Sequence, residues 1–453
     1  MAGNVPLAVN SDALPWTWRT IDELKAPIDG AIAIGPFGSR MKSDCYVKSG
    51  VPVIRGTNLG DTQAFVGDWV FIDPALADRM GSAVVVSGDL VFPHRGSIGQ
   101  VGIVPPDGPE RFVLSSSLMK LTCDRLVADP DFLFYYFRSS AGRHELLKNA
   151  STVGTPGIGQ PLTSLRAIKV HLPPIAQQTA IGCILGSLDQ KIEFNRRHSQ
   201  TLEATARAFF KDWFVDFGPV LAKAERREPY LARDVWDVMP NRLDGGFPQG
   251  WKRGPVGDWI AFNPPESLRR GVVAPYLDMA ALPTEGATAD EPVPREFGSG
   301  MKFRNGDTLM ARITPCLENG KTAYVQSLPD SAVAWGSTEF IVMRPIPPVS
   351  RPYAYLLARD AAFREHAIRS MTGTSGRQRA QVQAIESFPV CLPTEKPVWD
   401  AFAAVLDPLF AGIRANANES RTLSELRDAL LPKLISGDIR IRDAERFIEE
   451  AIA

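Results

Sequence analysis

The stretch that decides the fold is residues 175–217, IAQQTAIGCILGSLDQKIEFNRRHSQTLEATARAFFKDWFVDF, which contains no proline. Its apolar side chains recur at steps of four and three residues, the heptad pattern of a helix that packs lengthwise against another helix. The seam positions are Ile181, Leu185, Leu188, Ile192, Asn195, Ser199, Leu202, Ala206, Phe209 and Trp213. A helix of roughly 40 residues would form a rod of about 60 Å.

The same spacing returns 221 residues later in the chain, at Phe402, Leu406, Leu409, Ile413, Asn416, Ser420, Leu423, Arg427, Leu430 and Leu434. The two polar interruptions, an Asn and a Ser four residues apart, recur in the same places. Arg427 in place of Ala206 is the one mismatch. Because a seam that was apolar by chance would not repeat its polar exceptions, the pattern indicates an internal duplication.

Two features of these helices lead to specific expectations. Asn195 and Asn416 lie near the middle of their helices, so an antiparallel pair would bring them together at a pseudo-twofold axis, where buried amides fix the register. The alternative is that both amides simply face solvent. Pro432 is predicted to break or kink the second helix near its end, since proline removes a hydrogen bond and clashes with the preceding turn.

The segments before the two helices also correspond. Residues 88–90 (GDL) resemble 306–308 (GDT), and the loop at 155–160 (TPGIGQ) resembles that at 374–379 (TSGRQR). Short apolar runs broken by glycine and proline predict short strands, and further segments predict helices. Each globular unit is therefore predicted to be mixed α+β, in the order globular unit, helix, globular unit, helix.

This order divides the chain into five segments. We predict a first globular domain at 1–172, a first long helix at 173–217, a linker at 218–250, a second globular domain at 251–392, and a second long helix with a C-terminal tail at 393–453. The linker is inferred from its polar, Pro/Gly-marked composition.

Composition indicates a folded protein, with 44% hydrophobic and 22% charged residues. Five dispersed cysteines without a CxxC pattern speak against disulfides and structural zinc, so we expect a reducing cytoplasm. The sequence shows no signal peptide and no run of 18 apolar residues, which speaks against export and a membrane span. The net charge of -1 counts against binding to the DNA phosphate backbone, unless basic residues cluster locally or a partner subunit completes the contact.

Several motifs occur in order along the chain: GPFGS at 35–39, GVPVIRGTNL at 50–59, LPPIAQQ at 172–178, WFVDFGPV at 213–220 and LRDALLPKLISGDI at 426–439. Together they resemble the specificity subunit of Type I restriction-modification enzymes over nearly the whole chain. Gln177 stands where the family usually has Glu, and LPTEKPVWDAF in the second copy departs further from the LPP-Glu-Gln pattern.

The resemblance implies two target-recognition domains that each read one half of an asymmetric bipartite DNA site and are held apart by two antiparallel helices. It also implies two copies of a separate modification subunit that methylate DNA with S-adenosylmethionine, and a third, ATP-dependent subunit for cleavage. No cofactor is expected in this chain; S-adenosylmethionine, ATP and Mg would belong to the partner subunits.

Candidate DNA-reading residues are polar or aromatic side chains near glycine and serine loops, because Arg, Lys, Asn and Gln pair with base edges while loop amides approach phosphates. In the first unit they are Phe37, Ser39, Arg40, Lys42, Arg55, Asn58, His94, Arg95, Ser97 and Gln160. In the second unit they are Arg269, Arg270, Lys302, Arg304, Arg312, Asn319, Lys321, Arg377, Gln378 and Arg379. At any single position the alternative is an ordinary solvated side chain.

Two other functions remain open from the residues alone. A self-sufficient DNA adenine methyltransferase would need a base-clamping motif, but residues 263–266 (Asn-Pro-Pro-Glu) lack the aromatic fourth residue, and a proline turn is the better account. No histidine spacing, catalytic triad or paired carboxylate suggests another active site. A coiled-coil scaffold for proteins would explain the long helices but not two globular units with duplicated basic loops.

Overall fold

The computed structural model of the chain describes residues 15–36, 41–151, 154–374 and 376–452. The chain forms two compact units. The first unit consists of Met1–Phe194 with Ser420–Ala453, and the second unit consists of Asn195–Glu419. Each unit therefore contains one globular segment and a part of both long helices.

The first unit is built on two small sheets. Its strands are β1 (Thr17–Thr20), β2 (Ile32–Ile34), β3 (Tyr46–Val47), β4 (Val51–Ile54), β5 (Val70–Ile72), β6 (Val84–Val85), β7 (Leu90–Pro93), β8 (Gly102–Ile103), β9 (Phe112–Leu114), β10 (Leu118–Leu121), β11 (Ala150–Ser151), β12 (Gly157–Ile158) and β13 (Lys169–Leu172). One sheet has the order β2-β10-β7-β8 and the other β3-β5-β4-β9-β6. Strands β4, β7 and β9 are apolar runs buried along their whole length, as expected for strands covered on both faces. Strand β10 is also buried throughout, and its Lys120 lies 3.6 Å from Asp89.

The helices of the first unit are α1 (Ile21–Leu24), α2 (Pro74–Asp78), α3 (Pro130–Arg138), α4 (Ser140–Leu147) and α5 (Pro161–Ala167), followed by the first long helix, α6 (Ile175–Phe210). The sequence of α3, PDFLFYYFR, explains its place at the centre of the core. Asp129 accepts a hydrogen bond from the Phe132 amide, and Pro130 fits the first turn, where its missing N–H costs nothing. All five aromatic side chains of α3 and Leu133 are buried.

The second unit continues with α7 (Gly218–Ala224), α8 (Arg233–Val238), β14 (Leu243–Asp244), β15 (Phe247–Pro248), β16 (Trp251–Pro255), β17 (Ile260–Phe262), β18 (Val273–Leu277), β19 (Val293–Glu296), β20 (Met301–Phe303), β21 (Thr308–Ala311), β22 (Thr322–Tyr324), β23 (Ala334–Gly336), β24 (Phe340–Pro345), α9 (Pro352–Arg359), α10 (Ala361–Arg369), α11 (Val382–Glu386) and β25 (Pro389–Pro393). The second long helix, α12 (Lys396–Ser436), and a final helix, α13 (Ile441–Ile452), complete the chain's elements.

The two units repeat the same strand orders. The sheet β17-β24-β21-β22 matches β2-β10-β7-β8, and β19-β18-β23-β20 matches β5-β4-β9-β6, including one parallel pair in the same place. The pair β16-β25 matches β1-β13, so each globular segment begins and ends in one antiparallel ladder. The predicted mixed α/β units with a pair of long helices are confirmed.

The long helices run antiparallel in the second unit. Asn195 pairs with Glu419 and Phe214 stacks on Trp399, so the residue numbers rise along one helix as they fall along the other. A π-helical turn at Lys211–Val215 extends α6 towards its predicted end. Pro432 does not break the second helix: α12 continues to Ser436 and ends before Gly437, whose φ of +80° suits glycine. The alternative of a kink at Pro432 stays a prediction.

The segment 218–250 is folded rather than an open linker. It contains α7, α8 and the β14-β15 hairpin, and Val220, Ala222, Val235 and Met239 are buried. Its polar, Pro/Gly-marked composition reflects short elements joined by tight turns. Within the described residues, no helix has the length and apolar character needed to cross a membrane.

Candidate DNA interface

Three loops of the first unit meet at the ends of buried strands. The His94 amide, just after β7, donates to the Ser117 carbonyl at 2.9 Å. The Ile158 amide donates to the His94 carbonyl at 2.9 Å, and the Gly96 amide to the Pro156 carbonyl at 2.8 Å. We call this meeting point of residues 94–97, 115–117 and 156–158 the first junction.

The second unit builds the same meeting point with the same backbone bonds. The Arg312 amide donates to the Glu339 carbonyl at 3.0 Å, the Ala380 amide to the Arg312 carbonyl at 2.8 Å, and the Thr314 amide to the Gln378 carbonyl at 3.1 Å. We call residues 312–314, 337–339 and 378–380 the second junction.

The junctions correct the predicted alignment of the two loops. An isolated bridge joins Arg95 to Gly157 in the first junction and Ile313 to Arg379 in the second. Gly157 therefore corresponds to Arg379. The sequence comparison of 155–160 with 374–379 instead places Gly157 opposite Gly376. The backbone pairing decides this register, and the sequence alone does not reveal it.

The side chains of the first junction are largely uncharged. His94 is buried, and its Nε2 lies 3.0 Å from the Ser116 carbonyl oxygen. Burial lowers the pKa of His94, because the charged imidazolium loses its hydration. The Ser115 and Ser117 hydroxyls lie 3.1 Å apart. Arg95 and Ser97 are exposed on the same loop.

The second junction has an ion pair, Glu339 with Arg379, where the first junction has Ser117 and Gly157. Arg379 binds Glu339 through both Nε, at 2.9 Å from Oε2, and Nη2, at 2.6 Å from Oε1. The hydrogen bonds from Arg379 lower the pKa of Glu339, with the nearby charge of Arg312 adding to the effect. Arg312 has a buried Nε without a partner among the described residues.

The predicted DNA-reading residues that the structure describes divide into an exposed group and a partly or fully buried group. Nine are exposed: Lys42, Arg95, Ser97, Gln160, Arg269, Arg270, Arg304, Asn319 and Arg377. Of these, Arg95 and Ser97 belong to the first junction, and Arg377 precedes the second. Phe37, Ser39 and Arg40 lie outside the described residues.

Several other candidates hold the fold in this structure. Asn58 is fully buried, accepts a hydrogen bond from the Arg55 amide and donates to the carbonyls of Val66 and Asp68. The Arg55 guanidinium also donates to the Asp68 carbonyl.

In the second unit, two candidate lysines donate to backbone carbonyls. Lys321 donates to Met279 and Ala280, and Lys302 donates to Glu266. These contacts explain polar residues near loops without invoking DNA.

Residues 263–266 form a structural turn. Asn263 has a φ of +48°, and its side-chain oxygen accepts a hydrogen bond from the Val342 amide at 2.9 Å. Glu266 pairs with Arg344 at 2.6 Å. The asparagine oxygen and the glutamate thus both bind residues of β24, as the proline-turn interpretation expects.

The two seam asparagines both contact the opposite helix. Asn195 is 1% exposed and donates to Glu419 at 2.8 Å. Asn416 donates to Ser199 at 3.1 Å and lies 3.2 Å from the Nδ1 of His198. Their partners are therefore polar residues one turn away rather than the other asparagine. The register role stays a prediction.

Sequence reasoning did not single out Ser117 or Glu339. The available signal is the resemblance of residues 115–122 (SSSLMKLT) to 336–343 (GSTEFIVM), but an acidic side chain is not expected near phosphates. Among the described residues, no group of three or more His, Cys, Asp or Glu side chains could hold a metal ion.

Comparison with known proteins gives a consistent result. A family model for the Type I restriction modification DNA specificity domain matches residues 38–204. The Type I restriction enzyme HindI specificity subunit of Haemophilus influenzae is 33% identical over 407 residues, covering 78% of this chain and 87% of the relative. The MjaIX specificity subunit of Methanocaldococcus jannaschii is 23% identical over 329 residues, covering 69% and 70%.

A solved structure has a similar fold. The crystal structure of the S subunit of a Type-I restriction-modification system from M. genitalium matches with a TM-score of 0.54 and 15% identity, covering 95% of this chain and 98% of that one.

Proposed function

This chain belongs to the specificity subunits of Type I restriction-modification enzymes, and we propose that it reads a bipartite, asymmetric DNA site with one half-site for each globular segment. The observation that carries the proposal is the pair of junctions. Their backbone hydrogen bonds are the same, yet His94, Ser117 and Gly157 in one are Arg312, Glu339 and Arg379 in the other. A repeated framework with different side chains suits the recognition of two different base sequences.

We also infer that the chain arose by internal duplication. The repeated strand orders, the ladders β1-β13 and β16-β25, and the equal seam spacing support this inference. In the proposed arrangement the two long helices set the number of base pairs between the half-sites. The pseudo-twofold relation between the helices follows from the same duplication.

The chain is the recognition component and not an enzyme, as its family membership indicates. We propose that its partners are double-stranded DNA, two modification subunits and, in a complex that also cleaves, restriction subunits. S-adenosylmethionine, ATP and Mg would bind to those partner subunits. The weak net charge suits this arrangement, because a partner would share the contact with the phosphate backbone.

Domain exchange tests the two-reader proposal. Residues 251–392 are replaced by the corresponding segment of a relative, cut at the β16-β25 ladder so that both ends of the exchanged segment lie side by side. Methylome sequencing of cells that express the exchanged protein with its modification subunit should show one changed half-site and an unchanged spacer. If both half-sites change together, one composite DNA-binding surface must replace the two-reader model.

The protein-scaffold alternative predicts a different binding result. Binding of the purified chain to duplex DNA, measured across a salt series with and without a modification subunit, should weaken as salt rises, because counterions are released from the phosphates. A scaffold without a DNA role would show no such binding in either preparation.

A further inference from the structure

The second unit contains a cavity lined by three arginines. Its volume is about 450 Å³, and its lining residues are Arg207 of α6, Thr284, Glu285, Asn319, Arg359 of α9 and Arg364 of α10. Three guanidinium groups thus share one cavity with a single lining carboxylate, Glu285, which is exposed.

Arg359 is a fixed positive charge in the wall of this cavity. Its side chain is buried, and its Nε donates to the Tyr355 hydroxyl at 3.1 Å. The two terminal nitrogens donate to four backbone carbonyls, those of Thr284, Gly286, Gly320 and Thr322. Carbonyl groups are neutral, so they hold the guanidinium in place without cancelling its charge.

The other two arginines are less completely bonded than Arg359. Arg364 donates from Nη2 to the Glu318 carbonyl at 3.1 Å, and its Nε is buried without a partner in the described part of the chain. Burial and the charges of Arg359 and Arg207 lower the pKa of Arg364. Arg207 uses Nε and Nη2 to bind Glu203, which leaves Nη1 for further contacts.

We propose that this cavity binds a phosphate-type oxyanion, held by Arg207 and Arg364 with Asn319 at its rim. Like charges in a partly desolvated site repel one another, and an anion would relieve that repulsion. The guanidinium fork matches the geometry of phosphate oxygens, and such charge-assisted hydrogen bonds are the strong ones. A free phosphate or phosphate monoester and a phosphate of the DNA backbone share this chemistry.

Calorimetric titration of the full-length chain with inorganic phosphate tests the proposal, with sodium chloride at matched ionic strength as the reference. We expect saturable binding of one phosphate. Arg364→Gln should weaken it about tenfold to hundredfold, as the loss of a charged hydrogen bond predicts. Arg233→Gln, on the exposed face of α8, is the matched control and should leave the affinity unchanged.

A second variant keeps all three arginines in place. Thr284→Glu adds a carboxylate to the cavity, and it should abolish phosphate binding even if Arg364→Gln fails to fold. Equal heats from phosphate and chloride, or phosphate binding that survives Thr284→Glu, would overturn the proposal.

A competition experiment then distinguishes the two sources of the oxyanion. If saturating duplex DNA displaces the phosphate, the cavity takes a backbone phosphate. If phosphate still binds in the presence of DNA, the cavity takes a free oxyanion. Because the phosphate titration needs no DNA, its outcome is independent of the DNA-reading function.

Discussion

The helix seam is chemically different in the two units at positions that correspond by the 221-residue offset. In the first unit Asp189 of α6 binds Arg427 of α12 at 2.6 Å, and both side chains are buried. The corresponding positions in the second unit are Phe410 and Ala206, which are also buried and belong to one apolar core. The helix seam of the first unit therefore contains a buried ion pair, whereas the same positions in the second unit hold apolar side chains.

This difference explains the one mismatch in the sequence repeat. Arg427 replaces the small Ala206, and Asp189 replaces the large Phe410, so each change is matched by a change across the seam. Tyr135 adds to the first pair by donating to Asp189 at 2.8 Å, and Phe410 instead packs against Tyr355 with ring centres 5.8 Å apart. At these two positions the residues of the two helices therefore match in pairs across the seam.

Removal of one partner should have the largest effect on stability. Arg427→Ala leaves Asp189 buried without its cation, which typically costs about 3–5 kcal/mol of unfolding free energy. Denaturant unfolding measures the change, and Arg414→Ala, at an exposed position of the same helix, should stay within about 0.5 kcal/mol of wild type. A loss for Arg427→Ala no greater than for Arg414→Ala would show that the pair is not structurally important.

Giving the first unit the apolar residues of the second unit should recover part of the lost unfolding free energy. The double variant Asp189→Phe with Arg427→Ala restores an apolar pair, so we expect it to lie only about 1–3 kcal/mol below wild type, since Tyr135 loses its acceptor. The same unfolding experiment, read as a double-mutant cycle with both single variants, gives the coupling energy. Additive losses would mean that the two positions do not compensate for one another.

Exposed arginines at the two junctions should affect separate half-sites. Arg95→Ala is expected to relax recognition of one half-site and Arg377→Ala of the other, each by about 1–3 kcal/mol if the side chain reads a base edge. Methylome sequencing of cells that express each variant with the modification subunit measures both half-sites at once. A uniform loss of methylation with unchanged sequence preference would indicate phosphate contacts instead.

The smallest expected effect is a pH dependence confined to the second junction. Because its folded pKa is lowered, Glu339 contributes stability above its unfolded pKa near 4.5 and loses that contribution as pH falls through the lower folded value. The stability difference between wild type and Glu339→Gln should therefore shrink below about pH 4.5.

The first junction supplies the control. Ser117→Ala removes no titratable group, so its stability difference from wild type should stay flat over the same pH range. Equal pH profiles for the two variants would contradict the assigned role of the Glu339–Arg379 pair.

The sequence by itself determined the long helices and their repeat. Heptad spacing is a local property, because each apolar side chain occupies its face of the helix wherever the partner lies. The sequence likewise predicted mixed α/β units, since short apolar runs broken by glycine and proline are also a local signal. The family resemblance rested on contiguous motifs of the same local kind.

Only the tertiary structure decided how residues distant in the chain meet. The register that sets Gly157 against Arg379, the Glu339–Arg379 pair and the three-arginine cavity each join separate segments of the chain. The role of Asn58 was also decided by the tertiary structure. By sequence it is a polar loop residue, but in the fold it is buried and donates a hydrogen bond to the Val66 carbonyl. The periodicity of the sequence indicates which face of a helix or strand a side chain occupies. Its partner on another element depends on how the elements pack together, and a local sequence pattern does not specify that packing.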